Sequence, residues 1–303
     1  MPPSDPILVI DRRTGQKQAE TVLGDRLLRL ACTPAVAPLA RWLLFRSPLP
    51  SRLLGWYADS RWSRHKIAPT IRGLGIEMDD FLLPAGGYQS FNDFFCRQLK
   101  PGRRPHDPSP AAVAAPADCR LSVQPTLQAD TCFPIKGVPF TVGALLGSAP
   151  AAQAAAAQFT GGVLMIARLC PADYHRYHFP FDGDTTQSWV VPGGYESVNP
   201  LPLARGARPF TGNWRQVSLL AHQALGEVAF IEVGAFGVGA VFNTHPGGPF
   251  RKMAEKGYFA FGGSTIVLLF RPGVLDPAPD LVANSAAGFE TRLRAGETIA
   301  TLR

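Results

Sequence analysis

The sequence has no C-x-x-C pair. Its five cysteines (Cys32, Cys96, Cys119, Cys132 and Cys170) are odd in number and scattered over 303 residues. Neither a disulfide framework nor a zinc site is signalled, and a reducing compartment is the natural expectation. Long apolar runs are missing too. The most hydrophobic N-terminal stretch, LLRLACTPAVAPLARWLLF (27–45), has only eleven uncharged residues between Arg29 and Arg41, two of them prolines. About twenty apolar residues are needed to cross a bilayer, so this stretch is expected to lie on a membrane rather than span it. The opening MPPSDPILVIDRRTGQ lacks the basic-then-apolar order of a secretory signal. No internal repeat is visible. Charge is sparse, at 17% Asp, Glu, Lys and Arg, and the net value is +7, with arginine far outnumbering lysine. A basic balance suits nucleic acid, anionic lipid and acidic substrates alike, so charge alone does not choose a partner.

What is present divides the chain in two. Residues 20–83 read as helices cut short by Pro34, Pro38, Pro48 and Pro50. Trp42, Trp56 and Trp62 are interleaved there with Arg41, Arg46, Arg52, Arg61, Arg64 and Lys66, the composition of an interfacial membrane element. A helical cap packed on the rest of the chain is the equal alternative. FNDFFCRQLKPGRRP (91–105) reads as a short aromatic helix ending in a basic loop, and SAPAAQAAAAQF (148–159) as a surface helix or linker. From 116 onward the runs are short, rich in Val, Ile and Phe, and punctuated by glycine, the pattern of strands. The expected class is α+β: a helical membrane-associating region, 1–87, followed by a β-rich catalytic domain, 88–303.

Three stretches could carry chemistry. In GYFAFGGSTIVLLF (257–270), Gly262-Gly263 precedes Ser264 inside an apolar run. Glycine leaves the backbone free to strain and the Gly263 carbonyl open to the neighbouring hydroxyl. Attack by the Ser264 oxygen would break the amide and form an ester. Elimination of that ester would cut the chain, and hydrolysis of the resulting dehydroalanine would leave a pyruvoyl group. On G-G-S-T alone, a glycine bulge in a strand is the simpler account. In DYHRYHFP (173–180), His175 and His178 suit proton transfer. A metal pair or a structural role explains them equally well on spacing alone. In PAD (116–118), Asp118 is an ordinary turn former, or else the orienting acid of an Asp118–His178–Ser264 set.

Taken together, these stretches resemble the phosphatidylserine decarboxylase proenzyme family along nearly the whole chain. YQSFNDFFCRQLKPGRRP is similar to its S-F-N-D-F-F-x-R-x-L-K-P-G-x-R-P segment, and PAD to its P-A-D-G turn. IKGVPFTVGALLG, DYHRYHFP, IEVGAFGVGAVFNT and GYFAFGGST match four further motifs. The resemblance implies self-cleavage between Gly263 and Ser264 into a β chain (1–263) and an α chain (264–303) headed by a covalent pyruvoyl cofactor. It implies Asp118 and His178 as the charge relay, Ser264 as the pyruvoyl precursor and His175 beside the substrate. No metal and no nucleic acid are implied. The partners would be phosphatidylserine, an anionic membrane surface and a candidate homodimer. The activity would be phosphatidylserine to phosphatidylethanolamine at the cytoplasmic face of the cell membrane. Two departures stand out: Cys119 replaces the glycine after the Asp, and Trp214 occupies the middle of N-W-R where Glu or Lys is usual. The rival readings are a pyruvoyl decarboxylase of a soluble amino acid such as tryptophan, and a non-cleaving binding protein on the same scaffold.

Overall fold

The computed structural model describes residues 7–20, 48–127, 140–196, 209–235, 241–261 and 264–303. The stretch 27–45, with Trp42, Arg41, Cys32 and two of its prolines, lies outside the described residues, as do Cys132 and the Gly262-Gly263 pair.

The strands are β1 (Leu8–Asp11), β2 (Lys17–Ala19), β3 (Ala112–Ala114), β4 (Cys119–Gln124), β5 (Val163–Leu169), β6 (Arg176–His178), β7 (Gly183–Val191) and β8 (Arg215–His222). They continue with β9 (Gly226–Gly234), β10 (Val241–Asn243), β11 (Gly248–Phe250), β12 (Glu255–Phe259), β13 (Ser264–Phe270), β14 (Leu275–Pro277), β15 (Glu290–Leu293) and β16 (Thr298–Leu302). Ten of them form one sheet in the order β11-β7-β8-β9-β13-β5-β4-β15-β1-β2. Two three-stranded sheets, β10-β12-β6 and β14-β16-β3, complete the β structure. The helices used below are α1 (Pro48–Asp59), α2 (Ile67–Leu74), α3 (Phe91–Phe95), α4 (Val142–Leu146) and α5 (Pro150–Ala156). The class is α+β, as the sequence pattern implies.

β13 explains its own composition. It lies between β9 and β5, antiparallel to both, and every residue from Ser264 to Phe270 is buried. A strand covered on both faces reads as a continuous apolar run rather than an alternation. Successive side chains still point to opposite faces. Ile266, Leu268 and Phe270 join Phe230, Met165, Tyr177 and Phe259 on one side; Val267 and Leu269 join Ile231, Ile166, Leu145 and Ala152 on the other. The alanine-rich stretch 148–159 therefore does more than link: α5 buries Ala152 and Ala155 in that second core.

The N-terminal helices form a smaller aromatic cluster. Ser90 caps α3 by accepting from the Asp93 N–H at 3.1 Å, and Tyr88, Phe91, Phe94 and Phe95 pack together with Ile67 and Phe261. α2 stops at Gly75, whose φ of 60° is left-handed. No helix among the described residues is long and apolar enough to cross a membrane.

One feature of the sheet is electrostatically costly. Arg120 on β4 stands directly opposite Arg168 on β5, both buried. Glu290 of β15 accepts from Arg168, Asp173 accepts from Arg120, and Glu20, just beyond β2, accepts from Arg168 at 2.6 and 3.0 Å. Burial alone would raise the Glu20 carboxyl, but Arg168 and Arg120 bring it down to about 2. Its native pKa lies below the unfolded value, so its contribution to stability is present above about pH 4.5 and lost as pH falls toward 2. Glu20→Gln should cost about 3 kcal/mol in urea unfolding at pH 7, the scale for breaking a buried ion pair. The difference from wild type should shrink as the pH falls from 4.5 toward 2; a constant difference would contradict this account.

Candidate active site

β6 antiparallel to β12 brings the two histidines together with the approach to the G-G-S-T stretch. His175 is fully buried, and its ring lies 3.8 Å, centroid to centroid, from that of Phe95. Its Nδ1 is 3.0 Å from the Asp173 carbonyl oxygen, so Nδ1 carries the proton and donates it there. Nε2 is left as a bare lone pair, buried and without a hydrogen-bond partner. Burial pushes the imidazole down to about 3, with Arg97 and Arg120 adding to the effect against the Asp173 carbonyl. His175 is therefore neutral at pH 7.

Asp173 sets this orientation. Its carboxylate is held by Arg120 and by the Cys170 N–H at 2.7 Å. Its carbonyl also accepts from Arg97 at 2.9 Å.

His178 is tied differently. Its backbone N–H donates to the Pro116 carbonyl at 2.8 Å, docking β6 on the PAD turn. Nδ1 lies 3.0 Å from the Met253 carbonyl oxygen, and Nε2 lies 3.2 Å from the Tyr174 hydroxyl. The consistent assignment has Nδ1–H donating to Met253 and Nε2 accepting from Tyr174. Burial lowers the His178 pKa, opposed by the Met253 carbonyl, Glu255 and Asp118.

Asp118, just before β4, is within electrostatic reach of His178, but its hydrogen bonds go elsewhere. Arg104 grips it with Nε at 2.8 Å and Nη2 at 2.6 Å, and the Ala295 N–H donates at 2.8 Å. Arg104 also donates to Asp80 at 2.8 Å, so one guanidinium joins the end of the helical region to the PAD turn. Ser264 begins β13 opposite Leu169 and Gly234. Its Oγ, like the hydroxyl of Thr265, is buried with no hydrogen-bond partner. A buried unsatisfied polar group costs about 1–3 kcal/mol. Native structures keep few of them, and reactive positions are one reason to do so.

The structure thus gathers Asp118 and His178 through the Pro116 carbonyl and leaves Ser264 and His175 each with an unpartnered atom. No hydrogen bond among the described residues links Asp118 to His178 or His178 to Ser264. The cleavage-site Gly263 lies outside the described residues.

A guanidinium in the loop at Arg104 gives no sign in the sequence of a carboxylate fourteen residues on. Tyr174 sits inside the DYHRYH stretch and reads there only as an aromatic. The N-W-R stretch acts through its outer residues. Asn213 is fully buried and donates to the carbonyls of Gly234 and Glu196, bracing the end of β9 opposite Ser264. Arg215 donates to the carbonyls of Leu145, Ala144, Thr211 and Asn213. The Trp214 backbone N–H donates to Gly194 and its carbonyl accepts from Gly234, so the middle position contributes backbone. Cys119 is buried in the main core.

Comparison with known proteins bears on this arrangement. The Phosphatidylserine decarboxylase family description matches residues 91–301. The phosphatidylserine decarboxylase proenzyme of Chlamydia trachomatis serovar D is 37% identical over 97% of this chain and 96% of that protein. The proenzyme of Ruminiclostridium cellulolyticum is 36% identical over 97% of each. That of Clostridium kluyveri is 35% identical over 97% of this chain and 98% of that protein.

The chain belongs to the phosphatidylserine decarboxylase family. It is accordingly an enzyme of the carboxy-lyase class, similar to proteins named as proenzymes.

The geometry makes a direct prediction for this family member. His175 should stay neutral far below the usual titration range, so its imidazole NMR resonances should not shift between pH 7 and about pH 4. Its native pKa lies below the unfolded value near 6.5, so its share of stability is present above pH 6.5 and lost as pH falls toward 3. A midpoint near 6.5 in the folded protein would contradict the buried, lone-pair assignment.

Proposed function

We propose that this chain cuts itself between Gly263 and Ser264 and, once cut, decarboxylates phosphatidylserine to phosphatidylethanolamine. The observation that carries the reading is the Ser264 hydroxyl: fully buried, unpartnered, at the head of a central strand and directly after two glycines. Ser264 Oγ attacks the Gly263 carbonyl carbon as its proton leaves. The amide C–N bond breaks as the ester forms. Elimination then releases the Gly263 carboxylate and leaves dehydroalanine at residue 264, and water hydrolyses that residue to a pyruvoyl group with loss of ammonia. A pyruvoyl group at residue 264 supplies an electrophilic carbonyl for a substrate amine and a sink for the electrons left by carbon dioxide.

The chain's own residues divide the remaining work. His178 is the proposed base for self-cleavage, worth ~10²–10⁴-fold in rate. Its Nε2 is held by the Tyr174 hydroxyl, so that hydroxyl must turn away or pass the proton along. Asp118, fixed by Arg104, favours the charged imidazole through space. His175 keeps its Nε2 lone pair free, the atom at which a substrate proton can be held. As a neutral group it adds no positive charge until an anionic substrate enters to support one. After the cut, β13 remains hydrogen-bonded between β5 and β9, which keeps the α chain within the β chain.

Location follows from the surface. Of the eight large hydrophobics exposed among the described residues, five (Leu53, Trp56, Trp62, Leu82 and Leu83) fall between 53 and 83. Arg52, Arg61, Arg64, Lys66 and Arg72 are exposed in the same region. Basic residues near an anionic surface contribute about 1 kcal/mol each and are screened by salt, whereas inserted apolar groups are not. The reading is peripheral binding at the cytoplasmic face of the membrane.

Two experiments test this. Intact mass spectrometry of Ser264→Ala should give one uncut, inactive chain, and Asp118→Ala and His178→Ala should block or severely slow the cut. His175→Ala should cut at least partly yet decarboxylate poorly. Cleavage of Ser264→Ala between 263 and 264 would sink the acyl-shift mechanism. Separately, sedimentation with phosphatidylserine vesicles should weaken with salt without vanishing, and Trp62→Ser with Leu83→Ser should reduce the salt-resistant part. Absence of wild-type binding would favour a soluble amino-acid substrate and a helical region that serves only as a packing cap.

A further inference from the structure

Between α1, α3 and one face of the β10-β12-β6 sheet lies a cavity of about 600 Å³. Two aromatic side chains that line it, Trp56 and Phe242, are 69% and 44% exposed. Its charged lining is mostly committed. Arg176 donates to Glu255 at 2.9 and 3.0 Å and to the Cys96 carbonyl at 2.9 Å. Asp59 accepts from Asn92 at 2.6 Å. Arg52 is the exception: it lines the cavity, and no hydrogen bond or ion pair joins it to any described residue. A free guanidinium near exposed aromatics matches an anionic phosphate whose hydrocarbon leads outward.

The inner wall points toward the reaction centre. Phe261 lines the cavity and packs edge-on against Phe95, with centroids 5.3 Å apart. Phe95 in turn packs, tilted by 37°, on the His175 imidazole with centroids 3.8 Å apart. Two aromatic rings therefore separate the cavity from His175. In the uncut chain both Ser264 and His175 are closed off from solvent. Cutting after residue 263 would make Phe261 the third residue from a new C-terminus, with its N–H still donating to Asn92 at 2.8 Å.

We propose that this cavity receives the phosphodiester of an anionic glycerophospholipid, with Arg52 as the phosphate anchor and Phe261 as the wall between the cavity and His175. The proposal rests on the decarboxylase reading above.

The test uses the full-length, self-cleaved protein and two serine-bearing substrates. One is a short-chain phosphatidylserine kept monomeric, which removes membrane attraction as a factor. The other is O-methylserine, which keeps the amine and the free carboxylate and has no phosphate. Arg52→Gln should raise KM for the lipid about tenfold to a hundredfold, the scale of one charge-assisted hydrogen bond, with little change in kcat. Arg52→Lys should restore part of the loss, and KM for O-methylserine should not move. Equal lipid KM for wild type and Arg52→Gln would overturn the anchor while leaving the decarboxylase reading intact. An equal rise for both substrates would also overturn it, because Arg52 would then act on the centre and not on the phosphate. Wild type inactive on the lipid would overturn both. If Arg52→Gln fails to mature, phenylglyoxal labelling of wild type carries the test. Glycerophosphoserine should protect Arg52 and serine should not; equal labelling with either would overturn the proposal.

Discussion

Two arginines that face each other inside a sheet are the constraint around which this molecule is arranged. Arg120 and Arg168 are cross-strand neighbours on β4 and β5, and like charges in that position repel. The fold answers with Glu20, Asp173 and Glu290, drawn from three distant parts of the chain. Glu290 fastens β15 beside β4, and Glu20 fastens the residue that follows the β1-β2 edge. Asp173 fastens the turn leading to β6. Removing any one carboxylate would take a hydrogen-bonded partner from a buried guanidinium.

The orientation of His175 is a consequence of that cluster. With its carboxylate occupied by Arg120 and the Cys170 N–H, Asp173 offers its carbonyl to the imidazole. That fixes the tautomer, and burial keeps the ring neutral. The same pattern of a supporting residue one step removed holds at Asp118, where Arg104 fills the carboxylate while the His178 imidazole bonds to Met253 and Tyr174. His175 and Asp118 are therefore each set by a guanidinium–carboxylate pair whose members lie apart in the sequence.

Ser264 belongs to a different economy. Its strand is buried along its whole length, as is β5 beside it, and a strand in that place tolerates little movement. Putting an unpartnered hydroxyl there, followed by a second at Thr265, works against stability. Local exceptions of this kind cluster where chemistry is done. The central placement also means that a cut before Ser264 removes a backbone link without removing the strand's ladders to β5 and β9.

Much of this was legible in the residues themselves. STIVLLF announces a buried strand, the runs around 163–169 and 226–234 announce further strands, and FNDFF announces a short aromatic helix. The motif residues Asp118, His175, His178 and Ser264 stand out because proton transfer and serine chemistry need those side chains, and their joint occurrence identifies the family. The strands at 8–19 carry no comparable signal, because they are short and owe their place to pairing with β15 at the other end of the chain. Sequence likewise does not reveal that Arg104 grips Asp118, that Asp173 turns His175, that Tyr174 holds His178, or that Asn213 and Arg215 brace backbone around an indifferent Trp214. Side-chain type and local periodicity are properties of neighbours along the chain, and they determined the elements and the candidate chemistry. Hydrogen-bond partners, burial and the resulting charge states depend on residues brought together from far apart, and only the tertiary structure decided those.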